Sequence, residues 1–292
     1  MTPQLLVLGS ANRDYTVLVE RHPLPGETVL GGSLTVATGG KGANQAAAAA
    51  RSGTKPVFIG AVGRDSVGDD VLADLAARGV DVSRVLRPDE PTGVALITVS
   101  ADGENSIVVA AGANGSLEAD ATAKTIADLA DDRTVLLCQL EIPAEVVSAA
   151  ASEIEKAGGR FALNLSPSRY VSPKLLELAD PLILNESEAS DLAGSTIDGP
   201  ADAETVAGRL LSTSKSVVIT LGADGVVVAD STGVVRLDAD RVPVVDTTGA
   251  GDAFAGALAA ALTTGASLTD AVRAGVAAGS AAVQHLGAQP PL

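Results

Sequence analysis

Aromatic residues are scarce in this chain of 292 residues, which has no tryptophan, two tyrosines and three phenylalanines. Hydrophobic residues nevertheless make up 46% of the sequence, so the core must be built from alanine, valine, leucine and isoleucine. Basic residues are also few, because 20 lysines and arginines stand against 36 acidic residues and the net charge is −16. This balance excludes a nucleic-acid partner, since nothing here could neutralise a run of phosphates.

Cysteine is almost absent, and long apolar runs are missing. The single Cys138 allows no disulfide within the chain, which suits a reducing cytosol, and its apolar neighbours predict a buried side chain. No segment reaches the ~18 consecutive apolar residues of a membrane span. The N-terminal stretch lacks the basic region of a signal peptide. We therefore expect a soluble, cytoplasmic protein without a membrane partner.

Short apolar runs of strand length alternate with helix-like stretches along the chain. The runs lie at 5–9, 56–63, 134–140, 160–165, 181–185 and 216–222. Several are apolar on both faces, which is typical of a parallel sheet covered by helices. The pattern predicts an α/β fold, a three-layer Rossmann-like sandwich. No repeat or linker divides the sequence, so residues 1–292 are expected to form a single domain.

Two stretches, about 14–38 and 92–110, break this alternation. Both contain β-branched residues and turn residues, with no helix between their predicted strands. The second is typical of a hairpin with ADGEN as its turn. The two stretches predict a small antiparallel β-sheet inserted in the α/β body, which would form a lid over a site or a dimer contact.

Polar residues follow several of the predicted strands. In GSANRD, Asn12 and Asp14 come directly after the first strand, where ligands of open α/β sheets bind. An amide beside a carboxylate suits vicinal hydroxyls, although an Asx turn is a structural alternative. Glu141 follows another strand and presents the same choice between a ligand contact and a solvated carboxylate.

A glycine-rich loop, TGGKGANQ, precedes the alanine-rich helix. Consecutive glycines allow the backbone to approach a ligand, and the helix N-terminus offers free N–H groups. Gly42 after Lys41 excludes a P-loop, and the absence of GxGxxG disfavours a Rossmann oxidoreductase. Lys41 and Asn44 are candidate substrate contacts, and a turn feeding a core helix is the alternative.

Two further stretches combine polar residues with strand ends. Asn185 and Glu188 fit a capping box, but they also fit an outer-sphere Mg²⁺ or phosphate site. The stretch SVVITLGADG ends a strand in a glycine-bearing turn. A nucleotide could lie across Thr220 and Gly222, and an ordinary turn is the alternative.

The stretch DTTGAGDAF places two carboxylates around small residues. It leads into a helix predicted over 250–264, with Asp252 in the first turn. That position favours a simple cap and predicts a low pKa. However, Thr247 and Thr248 already offer capping hydroxyls, and capping leaves the Gly-Ala-Gly at 249–251 unexplained.

Together these stretches resemble the ribokinase-like (PfkB) carbohydrate kinases. The resemblance follows the family's order through nearly the whole chain, and it rests on GSANRD, GGKGANQA, QLEIP, NESEA, TLGADG, DTTGAGDAF and GAQP. It implies a Rossmann-like body with a β-sheet lid and ATP-dependent phosphorylation of a sugar hydroxymethyl group. It also implies Mg²⁺ and a K⁺ activator. D-Ribose is the expected sugar, with deoxyribose, fructose or a nucleoside as alternatives, and a non-catalytic sugar-binding protein is a third hypothesis.

The resemblance implies a role for each motif residue. Asp252 would be the general base, and an anion hole would be formed by the N–H groups of Gly249, Ala250, Gly251 and Asp252. Residues implied to hold the sugar are Asn12, Asp14, Gly39, Gly40, Lys41, Asn44, Glu141 and Asp252. Residues implied to lie along ATP are Asn185, Thr220, Gly222, Ala223, Asp224, Gly225 and Gly251.

Cation sites and a dimer are implied in the same way. Glu188 would help to place Mg²⁺ through water. The potassium site would use Asp246 and the carbonyls of Thr248, Ala282, His285 and Gly287. Pro291 stands where family members often carry a serine that reaches the cation. Apolar faces of two lids would pair across a two-fold axis and give a homodimer.

Overall fold

The computed structural model describes residues 4–289, in which short strands alternate with helices. The strands are β1 (Leu5–Leu8), β2 (Asn12–Leu18), β3 (Leu34–Gly39), β4 (Val57–Ile59), β5 (Gly93–Val99), β6 (Asn105–Ala110), β7 (Val135–Cys138), β8 (Arg160–Asn164), β9 (Leu182–Asn185), β10 (Val217–Thr220), β11 (Val226–Asp230) and β12 (Gly233–Leu237). The helices are α1 (Lys41–Arg51), α2 (Ser66–Ala77), α3 (Ala119–Leu129), α4 (Ala144–Lys156), α5 (Pro173–Leu178), α6 (Glu186–Ala193), α7 (Pro200–Leu210), α8 (Ala250–Thr263) and α9 (Leu268–Ala282).

The main sheet has eight strands in the order β12-β11-β10-β9-β8-β7-β1-β4. The neighbouring strands β10, β9, β8, β7, β1 and β4 run parallel to one another. The pairs β10–β11 and β11–β12 are antiparallel. Alternate side chains of β1 enter different cores, with Leu6 and Leu8 on one face and Leu5 and Val7 on the other. The strand is apolar throughout because both faces are covered.

Helices cover both faces of this sheet. One core receives side chains from α3 to α7, and the other from α1, α2, α8 and α9. The alanine-rich sequence of α1 matters here, because α1 packs closely on α8. A side chain at Gly256 in α8 would collide with the Gln45 carbonyl of α1. The predicted three-layer sandwich is confirmed.

The second sheet has four strands in the order β3-β2-β5-β6. Its outer pairs are antiparallel, and its central pair, β2 with β5, is parallel. The hairpin predicted within 92–110 is present, and β2 begins at Asn12, two residues before the predicted stretch. The separate small sheet is confirmed. We call it the small sheet below.

Two simpler expectations concern Cys138 and membrane-spanning helices. Cys138 is fully buried in β7, and this burial raises the pKa of its thiol. Between residues 4 and 289, no helix has both the length and the apolar character needed to cross a bilayer.

Candidate active site

The carboxyl ends of the parallel strands gather the polar residues singled out in the sequence. β1 leads through a short turn into Asn12, and Glu141 lies just beyond β7. Asn185 at the end of β9 is in register with Thr220 at the end of β10. Ligands of open α/β sheets bind at this edge.

Asp252 lies at the start of α8 and is only 7% exposed. Asn44 donates through Nδ2 to Oδ2 of Asp252 at 3.0 Å, and Gln45 donates through Nε2 to Oδ1 at 2.9 Å. Desolvation by burial raises the pKa of Asp252, and the charge of Lys41 and the two amides only partly oppose it. The low pKa expected at a helix N-terminus is therefore wrong, because desolvation of the buried carboxylate outweighs the groups that favour its anionic form. A fixed carboxylate with a raised pKa suits proton abstraction.

The N-terminus of α8 is open. Neither Thr247 nor Thr248 caps it through a side chain, so the expectation that their hydroxyls cap the helix is wrong. Gly249 precedes the helix with φ of 75°, a left-handed conformation that favours glycine. A Cβ added at Gly251 would meet nothing within 4 Å. Among the described residues, the space beside Gly251 is therefore free.

Three of the four predicted anion-hole donors have no acceptor. Within residues 4–289 no acceptor is found for the N–H groups of Gly249, Gly251 and Asp252. The N–H of Ala250 donates to the Thr247 carbonyl at 3.2 Å. Unpaired N–H groups at a helix N-terminus form an anion-binding site, so the loop can hold a phosphoryl group.

Asp14 extends from β2 with a carboxylate that lacks a partner. Its Oδ1 is buried and has no hydrogen bond to any described residue. Burial, then the charges of Glu141 and Asp252, raise the pKa of Asp14 to about 6. A side chain at Gly39 would collide with this carboxylate, which accounts for the glycine. An unpartnered buried oxygen of this kind fits a ligand hydroxyl.

Glu141 and Asn12 are held by neighbours. Glu141 accepts hydrogen bonds at Oε2 from Oγ of Ser10 at 2.5 Å and from the N–H of Lys41 at 3.0 Å. Asn12 accepts at Oδ1 from Nδ2 of Asn114 at 2.8 Å. Both side chains are thereby fixed beside the start of α1, where Gly40 has φ of 85°.

The predicted nucleotide residues lie at the ends of β9 and β10. A short 3₁₀ turn, Gly222–Asp224, follows β10 and leads to β11. Gly222 and Gly225 have φ of 57° and 93°, conformations that favour glycine. A Cβ at Gly222 would meet nothing within 4 Å. The turn therefore presents open backbone next to Asn185 and Thr220.

Asn185 and Glu188 form a capping box at the start of α6. Asn185 Oδ1 accepts from the Glu188 N–H at 2.8 Å, and Glu188 Oε2 accepts from the Asn185 N–H at 2.9 Å. The capping box, which was the structural alternative to a ligand site, is thus present. It uses Oε2 of Glu188 and leaves Oε1 for another role. The described part of the chain holds no group of three or more histidine, cysteine or acidic side chains suited to a metal.

Asp246 ties two loops together. Its Oδ1 accepts from the Thr248 N–H and its Oδ2 from the Gly287 N–H, each at 2.8 Å. Burial raises the pKa of Asp246, but these hydrogen bonds outweigh it and the net pKa is lowered. The Ala282 carbonyl accepts from the His285 N–H at 3.1 Å.

The other carbonyls predicted for potassium are unpaired. Within residues 4–289, no donor is found for the carbonyls of Thr248, His285 and Gly287. The predicted departure at Pro291 lies outside the described residues.

Several residues of the site were not predicted from the sequence. Asn114 donates to Asn12, and a set of buried amides, Gln45, Gln139 and Asn164, lies behind Asp252. Gln45 carried a signal, because it is a polar residue next to a run of alanines in a helix expected to be buried.

The arrangement is that of a phosphotransferase. A buried carboxylate can take a hydroxyl proton beside N–H donors that can hold a phosphoryl group, on a fold that binds ligands at this edge. The model for the pfkB family of carbohydrate kinases matches residues 2–292. The chain belongs to this family.

Several ribokinases are similar to this chain over nearly their whole lengths. The chain is 39% identical to a ribokinase of Haemophilus influenzae, covering 99% of this chain and 95% of that protein. It is 37% identical to a ribokinase of Staphylococcus aureus, covering 99% and 96%. The solved Arabidopsis thaliana ribokinase complexed with ribose and ATP has a TM-score of 0.90 at 32% identity, covering 99% of this chain and 95% of that one.

Proposed function

We propose that this protein phosphorylates D-ribose at the 5-hydroxyl, using ATP and giving ribose 5-phosphate and ADP. The observation that carries the proposal is Asp252, buried and held by two amides directly beside the open N-terminus of α8. The named ribokinases, and the Arabidopsis enzyme solved with ribose and ATP, support the choice of substrates.

In this proposal Asp252 takes the proton of the 5-hydroxyl as that oxygen forms a bond to the γ-phosphorus. The bond between the γ-phosphorus and the bridging oxygen breaks, and ADP carries away its electrons. The N–H groups of Gly249, Gly251 and Asp252 stabilise the charge on the transferring group. Phosphoryl transfer has a loose transition state, so positioning and charge stabilisation provide most of the catalysis.

The sugar would lie between the small sheet and the start of α1. The unpartnered Oδ1 of Asp14 would accept a hydrogen bond from a sugar hydroxyl. Nδ2 of Asn44 donates one N–H to Asp252, and Oδ1 accepts from Gln289 at 2.8 Å. Among residues 4–289 the second N–H has no acceptor and would be available to a sugar oxygen. The remaining proposed contacts are Asn12, Gly39, Gly40, Lys41 and Glu141.

ATP would run from the N-terminus of α8 to the turn after β10. Its proposed contacts are Asn185, Thr220, Gly222, Ala223, Asp224, Gly225 and Gly251. Mg²⁺ usually keeps several waters and is shared with phosphates, which fits a site with one available carboxylate oxygen on Glu188. When bound, Mg²⁺ would neutralise charge on the phosphates.

A potassium ion fits the loops that Asp246 joins. The unpaired carbonyls of Thr248, His285 and Gly287, with Asp246 and Ala282, are hard oxygen donors. When bound, the ion would add positive potential beside the anion hole. Asp246 already holds the segment at 246–248 against Gly287.

We also propose a homodimer through the small sheet. Cross-strand register places Tyr15, Val36, Leu96 and Val108 on one face. Leu96 and Val108 are 57% and 65% exposed, and an apolar face of this kind is typical of an interface. We further propose that residues 1–292 act as a single kinase domain in the cytoplasm.

A substrate panel tests the proposal. Coupled ADP detection with D-ribose, deoxyribose, fructose and adenosine should give the highest kcat/KM for D-ribose, and phosphorus NMR should place the phosphate on the 5-oxygen. Turnover of another sugar in place of ribose would keep the kinase and reject ribose. Ribose binding without ADP formation, with Mg²⁺ and K⁺ present, would instead support the non-catalytic sugar-binding protein.

A further inference from the structure

Three buried amides form a connected chain behind Asp252. Gln139, just after β7, donates through Nε2 to Oε1 of Gln45 in α1 at 2.5 Å. Gln45 donates through Nε2 to Oδ1 of Asp252 and to Oδ1 of Asn164, both at 2.9 Å. Asn164 donates in turn to the Ile183 carbonyl at 3.3 Å. The chain links α8 to α1, β7, β8 and β9.

Packing alone does not explain these residues. Gln45 and Gln139 are fully buried, and the neighbours of Gln45 in α1 are mostly alanines. A buried amide costs free energy unless all its groups are paired, and Oε1 of Gln139 has no partner among the described residues. An apolar side chain would fill the same space without that unpaired oxygen. We therefore attribute these amides to the Asp252 carboxylate, which Gln45 contacts directly and Gln139 contacts through Gln45.

The hydrogen bonds fix the plane of the Asp252 carboxylate. Asn44 holds Oδ2 and Gln45 holds Oδ1, so each oxygen accepts one amide N–H. Both N–H groups of Gln45 are used, and its Oε1 is held by Gln139. A flipped Gln45 amide would set its oxygen against two other oxygens, Oδ1 of Asp252 and Oδ1 of Asn164. Gln139 therefore keeps Gln45 in its donating orientation.

We propose that Gln45 is a positioning residue that orients Asp252 and stabilises its anionic form, and that Gln139 locks Gln45 in place. This inference rests on the proposed function, in which Asp252 is the base. Charged groups also face Asp252 from other elements: Lys41 on α1, Glu141 after β7 and Asp14 on β2. Losing the Gln45 donor leaves these charges unchanged, so its effect can be separated from theirs.

The test uses Gln45→Met and Gln139→Met, which keep similar volume and remove the amide. Thr263→Val is the matched control, because it removes a buried hydroxyl that donates to Ala260 at the other end of α8. The first readout is the Asp252 pKa in the free protein, from carbon NMR of labelled aspartate carboxyls, assigned with Asp252→Asn. It does not depend on activity.

We expect Gln45→Met to raise the Asp252 pKa by about one unit, because a donor to the anion is lost. Its kcat with D-ribose should fall by about 10–100-fold, with the acid limb of the pH profile moved upward and KM for ribose within about threefold. Gln139→Met should act in the same direction with a smaller effect. Thr263→Val should change neither the pKa nor the profile.

An unchanged Asp252 pKa in folded Gln45→Met would overturn the inference. If Gln45→Met does not fold, Gln139→Met decides, and an unchanged pKa and kcat there would overturn it equally. An inactive wild-type protein would reject the proposed function by itself, while the NMR titration would still report whether Gln45 holds the carboxylate.

Discussion

Asp14→Asn should stabilise the free protein while weakening sugar binding. In the sugar-free site the Asp14 carboxylate is desolvated, lies near Glu141 and Asp252, and has a buried oxygen without a partner. Its pKa is raised from 3.8 to about 6. The folded protein therefore binds this proton more tightly than the unfolded chain does. Ionised Asp14 lowers the free energy of unfolding above pH 6, and this cost disappears as the pH falls through the window toward 3.8.

The size of the effect follows from the shift. About two pKa units correspond to about 3 kcal/mol at about pH 7.5, and to about half of that at about pH 5. Removing the charge should raise the free energy of unfolding by up to that amount. The lost charged acceptor should cost binding about 1.5–3 kcal/mol, which is roughly a 10–150-fold weaker Kd for D-ribose.

Urea unfolding at the two pH values measures the free energy of unfolding, and calorimetry measures the Kd for D-ribose. Asp128→Asn, on the exposed face of α3, is the control and should change stability by less than about 0.5 kcal/mol. The reasoning is refuted if Asp14→Asn is no more stable than wild type at the higher pH. It is also refuted if the gain is the same at both pH values.

Three other changes probe separate parts of the site. Gly39→Ala should displace the Asp14 carboxylate, raising KM for ribose by roughly tenfold with little change in kcat, and an unchanged KM would contradict this contact. Glu188→Ala should lower stability by about 0.5–2 kcal/mol in thermal unfolding and raise the Mg²⁺ needed for half-maximal rate, whereas loss of stability alone would leave only the capping role. Leu96→Asp should convert a dimer to monomers in light scattering, and a monomeric wild type would rule out the interface.

The layers of the fold could be predicted from the sequence because burial on both faces makes parallel strands apolar throughout. The run at 134–140 contains β7, and its neighbours in the sheet follow the same pattern. The small sheet was recognisable for a different reason, since no helical stretch separates β2 from β3 or β5 from β6. The parallel pairing of β2 with β5 was not recognisable, because register between strands distant in sequence depends on the rest of the fold.

The site was only partly predictable. Glycines with a required conformation, such as Gly249, mark the loops in the sequence itself. The direction of the Asp252 pKa was predicted wrongly, because the pKa depends on desolvation by surrounding elements that the local sequence does not show. The Gln45 and Gln139 contact joins residues 94 apart, so no local pattern could show it. Tertiary contacts decide what such side chains touch.

The central claim is that Asp252 takes the proton of the sugar hydroxyl. Steady-state turnover of Asp252→Asn with D-ribose, ATP, Mg²⁺ and K⁺ tests it most directly, with calorimetry to verify that ribose still binds. We expect kcat to fall by about 10²–10⁴-fold while the protein remains folded. Turnover near the wild-type rate in a folded variant would contradict the claim.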